Sequence, residues 1–445
     1  MARNRVIYQS DALYISKDIY STGNGQHVEL DRVQSANYSF TINRQDINQF
    51  GELGRIGYVA LEPPTVNLDF SYYLTDGSNE RALSFYVQNS GVGLSGEKTF
   101  LSGHMVSDFS GQNFYILTTA EGDDVNNVAP AAATVTGQTG YGASAAFIKN
   151  VIGIGNAHIT NYTLDAAVGS LPTVSVSFEG GNINAGTGIY AMTGLLRTGL
   201  NASGAFSGFY GISLASVDPT NGVANSGVTA LTGSGFTPGN AFLPFGKSSL
   251  GASGIVALRP GDITLDLSAF NDVGSGVFVE LTGSNAIHIQ SASLAIPLAR
   301  TPIQRLGSRF AFARPLDLPG TATLSVSAIV NEITAENLAG IIDLTYEKNI
   351  TLTIKNPTSA TSTPAVIYTL KKCRLDSESF SSSIGANKTV DLVFSTQYAS
   401  LNDTTRGVYM SGVCAGTIFG TGANGFLLST TGNNGAPSGA AIFSY

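Results

Sequence analysis

The sequence predicts a mainly β protein: two tandem related β-sandwich or barrel-forming domains, each with a short flanking helix and long Gly/Ser-rich loops. Three observations lead there. Gln34 to Leu74 (QSANYSFTINRQDINQFGELGRIGYVALEPPTVNLDFSYYL) aligns without a gap on Gln290 to Val330 (QSASLAIPLARTPIQRLGSRFAFARPLDLPGTATLSVSAIV). Identity is only about a quarter, but apolar positions keep step, and Arg44/Arg300, Ile47/Ile303, Gly51/Gly307, Pro63/Pro319, Leu68/Leu324 and Ser71/Ser327 coincide. Ala157 to Glu179 aligns in the same order on Cys373 to Ser395, each block closing on a phenylalanine, Phe178 or Phe394. The third observation is periodicity: Val66, Leu68, Phe70 and Tyr72 fall on one side of an extended chain and Asn67, Asp69 and Ser71 on the other. Two ordered matches of this kind read as an internal duplication.

In chain order, Val6 to Ile15 is β-branched and aromatic enough for a strand, which Gly23 to Gly25 break. Val28 to Val33 and Tyr38 to Ile42 follow as strands. QDINQFGELGR after Arg44 is either one short helix or a loop, and Pro63 and Pro64 mark a turn before the strand Thr65 to Tyr73. Glu80 to Gln88 has helical spacing, with Leu83, Tyr86 and Val87 on one side, and Ala335 to Ile341 is placed likewise in the second half. Lys98 to Ser107 and Gln112 to Thr119 read as two strands of a hairpin joined by DFSG, with a counterpart in Asn349 to Lys355 and Pro364 to Lys371. Asn182 to Gly254 is rich in Gly, Ser and Ala yet holds Ile189, Tyr190, Leu195, Phe206, Phe209 and Tyr210, too apolar for a free linker. Strands resume at Asp262 to Phe270, and Val408 to Ser411 and Gly425 to Leu428 are apolar islands in a Gly-rich tail. The division is therefore 1–183 for the first β domain, with a hairpin insertion at about 98–120, 184–254 for an ordered connector or insertion, 255–398 for the second β domain and 399–445 for a C-terminal extension.

Composition narrows the function. Charged residues are 12% of the 445, about half the usual share, and there are 52 glycines. A surface so poor in charge sticks unless neighbours cover it, which points to a subunit of an assembly. The net charge of −8, without any basic run, excludes tight phosphate binding, although an acidic surface meets DNA by repelling it. Cys373 and Cys414 are too few for a disulfide framework. MARNRVIYQS lacks a signal-peptide h-region and no run of 18 apolar residues follows, so the expectation is a soluble cytoplasmic chain without a membrane partner.

Catalytic chemistry finds no foothold in these residues. There is no Gly-x-Ser-x-Gly elbow. AFLPFGKSS, at Ala241 to Ser249, ends like a phosphate loop but has Ala241 where the leading glycine must stand. His27, His104, His158 and His288 are scattered, and the acidic residues lack calcium-loop spacing. We expect no catalytic residue, cofactor or metal.

The two QSA-initiated blocks, the paired segments ending SVSFE and DLVFS, and the SGHMVSDFSGQNFYILTT insertion resemble the bacteriophage tail tube (major tail) proteins, in particular their duplicated type. The resemblance covers about two thirds of the chain and leaves out Asn182 to Gly254 and the tail. It implies inner strands that form a continuous barrel, a long loop that contacts the next ring, and a negative lumen through which genomic DNA slides without specific binding. It further implies homotrimeric, pseudo-hexameric rings stacked into a tube, with tape measure and terminator proteins as partners, and a sheath protein if the tail is contractile, in a virion assembled in the host cytoplasm. For the ring-stacking contact we expect Phe100, Phe109, Phe114 and Tyr115 of the hairpin, since aromatics on a protruding loop need cover; a locally packed hairpin is the alternative. A neck, tail-completion or capsid decoration subunit, an extracellular β-rich adhesin and a glycan hydrolase are the competing functional readings.

Overall fold

Strand after strand in the computed structural model obeys the period of two that the sequence announces. Along Thr65–Tyr73, Val66, Leu68, Phe70 and Tyr72 are buried while Asn67 and Asp69 are exposed. The structure describes residues 11–16, 28–60, 65–89, 98–105, 112–118, 150–187, 255, 257–266, 288–303, 306, 314–329, 347–357, 364–381, 389–400 and 403–413. The expected helix Ala335 to Ile341, the island Gly425 to Leu428 and most of the connector lie outside them.

The described strands are β1 (Asp11–Ser16), β2 (Val28–Glu29), β3 (Val33–Thr41), β4 (Arg44–Ile47), β5 (Gly57–Ala60) and β6 (Thr65–Tyr73). After the short helix α1 (Ser78–Ala82) come β7 (Gln88–Asn89), β8 (Gln112–Thr118), β9 (Asn150–Ala167), β10 (Thr173–Gly180) and β11 (Asn182–Thr187). The second half supplies β12 (Ile263–Asp266), β13 (His288–Pro297), β14 (Thr321–Ile329), β15 (Lys348–Lys355), β16 (Pro364–Ser381), β17 (Thr389–Gln397) and β18 (Gly407–Gly412). The fold is mainly β and, but for the β7–β18 pair, antiparallel.

Connectivity repeats between the halves. In the first, the end of β9 pairs with β10, β10 with β6 and β6 with β3, while the start of β9 pairs with β8 and β11, and β8 with β1. In the second, β16, β17, β14 and β13 follow in the same order, and the start of β16 pairs with β15 and β18, and β15 with β12. The registers agree residue for residue: Phe178 faces Ile159 as Phe394 faces Leu375, and Val176 faces Tyr162 as Leu392 faces Glu378. Bulges fall at equal places too, between Val33 and Ser35 and between Ile289 and Ser291. Because a bulge fixes register and bends the strand, such agreement is a demanding form of likeness.

Each half is thus two sheets sharing one 18-residue strand, β9 or β16, that passes from the outer sheet into the inner one. At the crossing in β16, Lys372 takes a positive φ and its N–H donates to Asn349 Oδ1. The sheets pack face to face through rings such as Phe114 on Phe178, 4.6 Å apart, and Phe114 on Phe70 at 5.8 Å.

Several local expectations change. QDINQFGELGR begins as strand and continues as the loop between β4 and β5, which form an exposed hairpin. The helix expected at Glu80 to Gln88 is confined to Ser78–Ala82, because Ser84 has a positive φ and the chain then runs extended into β7, which pairs with β18 of the other half. Lys98 to Ser107 is no strand in its described part: Ser102–His104 is a 3-10 turn, and the Phe100 N–H donates to Val408 O. β8 instead pairs with β1 and with β9, a partner whose Gly153 and Gly155 hide it from a strand reading. The first outer sheet runs on to Thr187, and β18, beyond residue 398, belongs to the second.

Candidate assembly surfaces

The halves meet through an uninterrupted inner sheet. β9, the last strand of the first four, pairs with β13, the first of the second four: Ser293 opposite Asp165, Leu294 opposite Leu164, Ala295 opposite Thr163 and Ile296 opposite Tyr162. Eight strands therefore run side by side from β3 to the end of β16. The seam is secured on both sides. Ser293 Oγ donates to Asp165 at 2.6 Å on the open face, and Arg314 of the second half reaches Glu179 of the first at 2.9 Å. Arg300, aligned with Arg44, donates to Arg314 O and His104 O. Burial brings its pKa down to about 10.

Beneath the seam lies a polar cluster. Tyr72 Oη donates to Glu80 Oε1 at 2.8 Å, Tyr162 Oη lies 3.3 Å from the same oxygen, and Tyr162 and Tyr368 hydroxyls are 2.7 Å apart. Tyr368 comes from the second half, so the cluster ties both together. Desolvation raises the Glu80 carboxyl to about 7, with Asp76 adding to the rise, while the Tyr72 and Tyr162 hydroxyls oppose it by donating to the charged form. The three hydroxyls are all pushed up by burial. Gly412 seals this region: a Cβ there would stand 2.3 Å from Asp76 O, so only glycine lets β18 approach the turn before α1.

The open face of the inner sheet is lined by small polar residues in rows. Ser35, Ser71, Ser175 and Thr163 share one row, and Ser291, Ser327, Asp391 and Ser379 belong to another. Asp69, Asp165 and Asp391 are exposed on it. Along the eight inner segments Arg374 is the sole Lys or Arg. The face is therefore hydrophilic, uncharged over most of its area and, Arg374 apart, acidic where charged.

Exposed large apolar residues are confined to three places among the described residues. Tyr38 and Phe40 lie on the edge strand β3. Ile47, Phe50, Leu53, Ile56, Tyr58 and Val59 of the β4–β5 hairpin, with Ile303, Leu306 and Leu318 of the aligned loop, crowd one end of the inner sheet; Val168 and Leu171 sit on the β9–β10 turn at the other. Phe50 and Leu306 occupy the same aligned position, and both are wholly exposed, at 105% and 102%.

No family model matches the chain, and no curated protein matches it. Partial likeness extends to chains of solved structures, two of which follow. One is the cryo-EM structure of the anti-feeding prophage (AFP) baseplate, 6-fold symmetrised, with 13% identity, 28% of this chain and 80% of that one covered, and a TM-score of 0.21. The other is the virion of native gene transfer agent (GTA) particle, with 14% identity, 32% and 97% covered, and a TM-score of 0.18. Neither bears weight at those scores.

Of the residues expected to stack rings, Phe100 and Phe114 are fully buried and Tyr115 nearly so, all inside the chain's own core. Phe100 stacks on Phe85 at 4.1 Å. Phe109 lies outside the described residues. The exposed aromatics and aliphatics on the β4–β5 hairpin were passed over because a polar-looking QDINQFGELGR gives no strand signal. Their trace in the sequence is the pair Ile47/Phe50 returning as Ile303/Leu306. No cluster of three metal-ligating side chains occurs among the described residues, and no described helix is long and apolar enough to cross a membrane.

Proposed function

We propose that the chain is a structural virion subunit of the tail-tube type, in which three copies close edge to edge into a ring of six modules around a channel. One observation carries this reading: the seam between the halves joins the last strand of one module to the first of the next, and among the described strands the two inner edges without a partner are again a last strand, β16, and a first strand, β3. The seam is head-to-tail, and a head-to-tail contact closes a ring when its repeated rotation returns to the start. Unpaired edges are otherwise a liability that proteins cover.

Transposing the seam gives the register. Asn37 of one copy faces Ser381 of its neighbour, Ser39 faces Ser379, Phe40 faces Glu378 and Thr41 faces Ser377. Three chains contribute about 24 inner strands, more than the roughly 16 to 18 that already leave an aqueous channel. The polar, acidic face then lines the lumen, where it repels a duplex and offers it no specific grip. Other tail proteins, and further rings of the same chain, meet the two apolar ends.

Two measurements test the reading. Negative-stain images of the purified protein should show hollow discs, stacked into tubes; trimers that do not stack would favour a neck or capsid decoration subunit. Ser39→Cys with Ser379→Cys should give oxidant-dependent chain-to-chain disulfides, because directly opposed residues stand within bridging distance. Crosslinking no better than that of Ser35→Cys with Ser379→Cys, four positions out of register, removes the edge pairing.

A further inference from the structure

The seam that serves as template also exposes a mismatch. Tyr162, at the core-facing position of β9, is wholly buried and bonded to Tyr368 and Glu80. Its aligned position in β16 is Glu378, opposite Leu392 just as Tyr162 is opposite Val176. Glu378 stands on a free edge and is half-buried, with one carboxylate oxygen, Oε1, out of solvent and without a hydrogen-bond partner.

We propose that closing the ring buries Glu378 as a neutral carboxylic acid, so that each chain-to-chain contact takes up one proton. The inference rests on the ring reading above and adds its regulation. The incoming strand is Val33–Thr41, which carries no charged residue, and it sets Phe40 opposite Glu378. Tyr368, which satisfies Tyr162 in the internal seam, has Ile152 as its aligned residue in the incoming copy, so no hydroxyl waits there. From its own sheet Glu378 is faced by Leu392, with Val390 and Phe394 on the same side. Asp391 lies in the row of the other face with Ser379, and Arg374 is beside Ser395 on that face. The cations nearest in sequence to the incoming strand, Arg32 and Arg44, flank the paired stretch at its two ends.

Among the described residues, an ionised carboxylate enclosed by Phe40, Leu392 and Ile152 meets neither donor nor counter-ion, and burying such a charge costs more than protonating it. Glu80 illustrates the scale, since it reaches about 7 with two tyrosyl hydroxyls nearby. Glu378 is already raised in the single chain, by burial alone.

The test is lateral association of the full chain, followed by sedimentation velocity and negative stain from pH 5.5 to 8.5. Wild type is compared with Glu378→Gln and Glu378→Leu, all in a Glu80→Gln background that removes the other near-neutral carboxyl. Wild-type association should weaken up to about tenfold per pH unit toward alkaline pH, one proton per contact. Both variants should associate at every pH with a flat profile. If wild type and Glu378→Gln associate with the same pH profile, the proton linkage is wrong while the ring stands. If none of the three associates at any pH, both readings fall.

Discussion

β3 and β13 are the same strand in two settings. They share register, bulge and the Gln-Ser-Ala start, yet Ala292, Leu294 and Ile296 of β13 are buried while Ala36, Tyr38 and Phe40 of β3 are not. The difference is a neighbour: β9 covers β13, whereas β3 borders solvent. Burial at an edge therefore reports which partners are present as much as what the sequence prefers, and the covered copy shows what the bare one awaits. The hairpin β4–β5 and its aligned loop repeat the lesson, because Arg300 is drawn into the seam while Arg44 lies over Tyr58, 5.1 Å from its ring centre.

Leu294 and Tyr38 share one address, and substituting them separates the settings most sharply. Leu294→Ala removes a fully buried side chain and should cost about 2–5 kcal/mol of unfolding free energy. Tyr38→Ala should change the isolated chain by less than about 0.5 kcal/mol while weakening ring formation. Urea titrations of both, beside sedimentation of the second, check this; equal losses of stability would mean that β3 is not the open counterpart of β13.

The next largest effect is electrostatic and belongs to the internal seam. Glu80 binds its proton more tightly folded than unfolded, at about 7 against 4.5. Its stabilising contribution is thus complete below pH 4.5 and is lost as pH rises to 7, in all about 3 kcal/mol, with no further change above. Unfolding free energies of wild type measured across that window should fall, and those of Glu80→Gln should fall less by that amount. Parallel curves would detach the cluster from folding.

Phe50→Ser should be the quietest in the isolated chain. A side chain that touches solvent alone contributes little, so the melting curve should hold to within about 0.5 kcal/mol. Rings should still form, and their stacking should shorten or vanish in micrographs, as it should for Leu306→Ser. Tubes of unchanged length would take axial contacts away from this end of the sheet.

Much of the inner sheet could be read beforehand, because β6, β10, β14 and β17 are central strands whose alternation is enforced on both sides. β9 was half legible: His158 to Ala167 alternates, but Gly153 and Gly155 blur its start. What escaped was decided by distant partners. Lys98 to Leu101 looks like a strand, yet it is held by β18 and by Phe85, neither of them local. Aromatics on an expected protrusion look like stacking residues, but burial of Phe114 and Tyr115 goes with a pairing of β8 with β1 that no local pattern encodes, and that of Phe100 with Phe85.

The small parallel pair of β7 with β18 sets the timetable of maturation. Gln88 meets Ser411 across roughly 320 residues of chain, so at about 5–20 residues per second a ribosome delivers the second partner some 15 to 65 s after the first. Through that interval Phe85, Phe100 and the Glu80 pocket have no lid. The front module must wait, incompletely shut, for the rear one to be born.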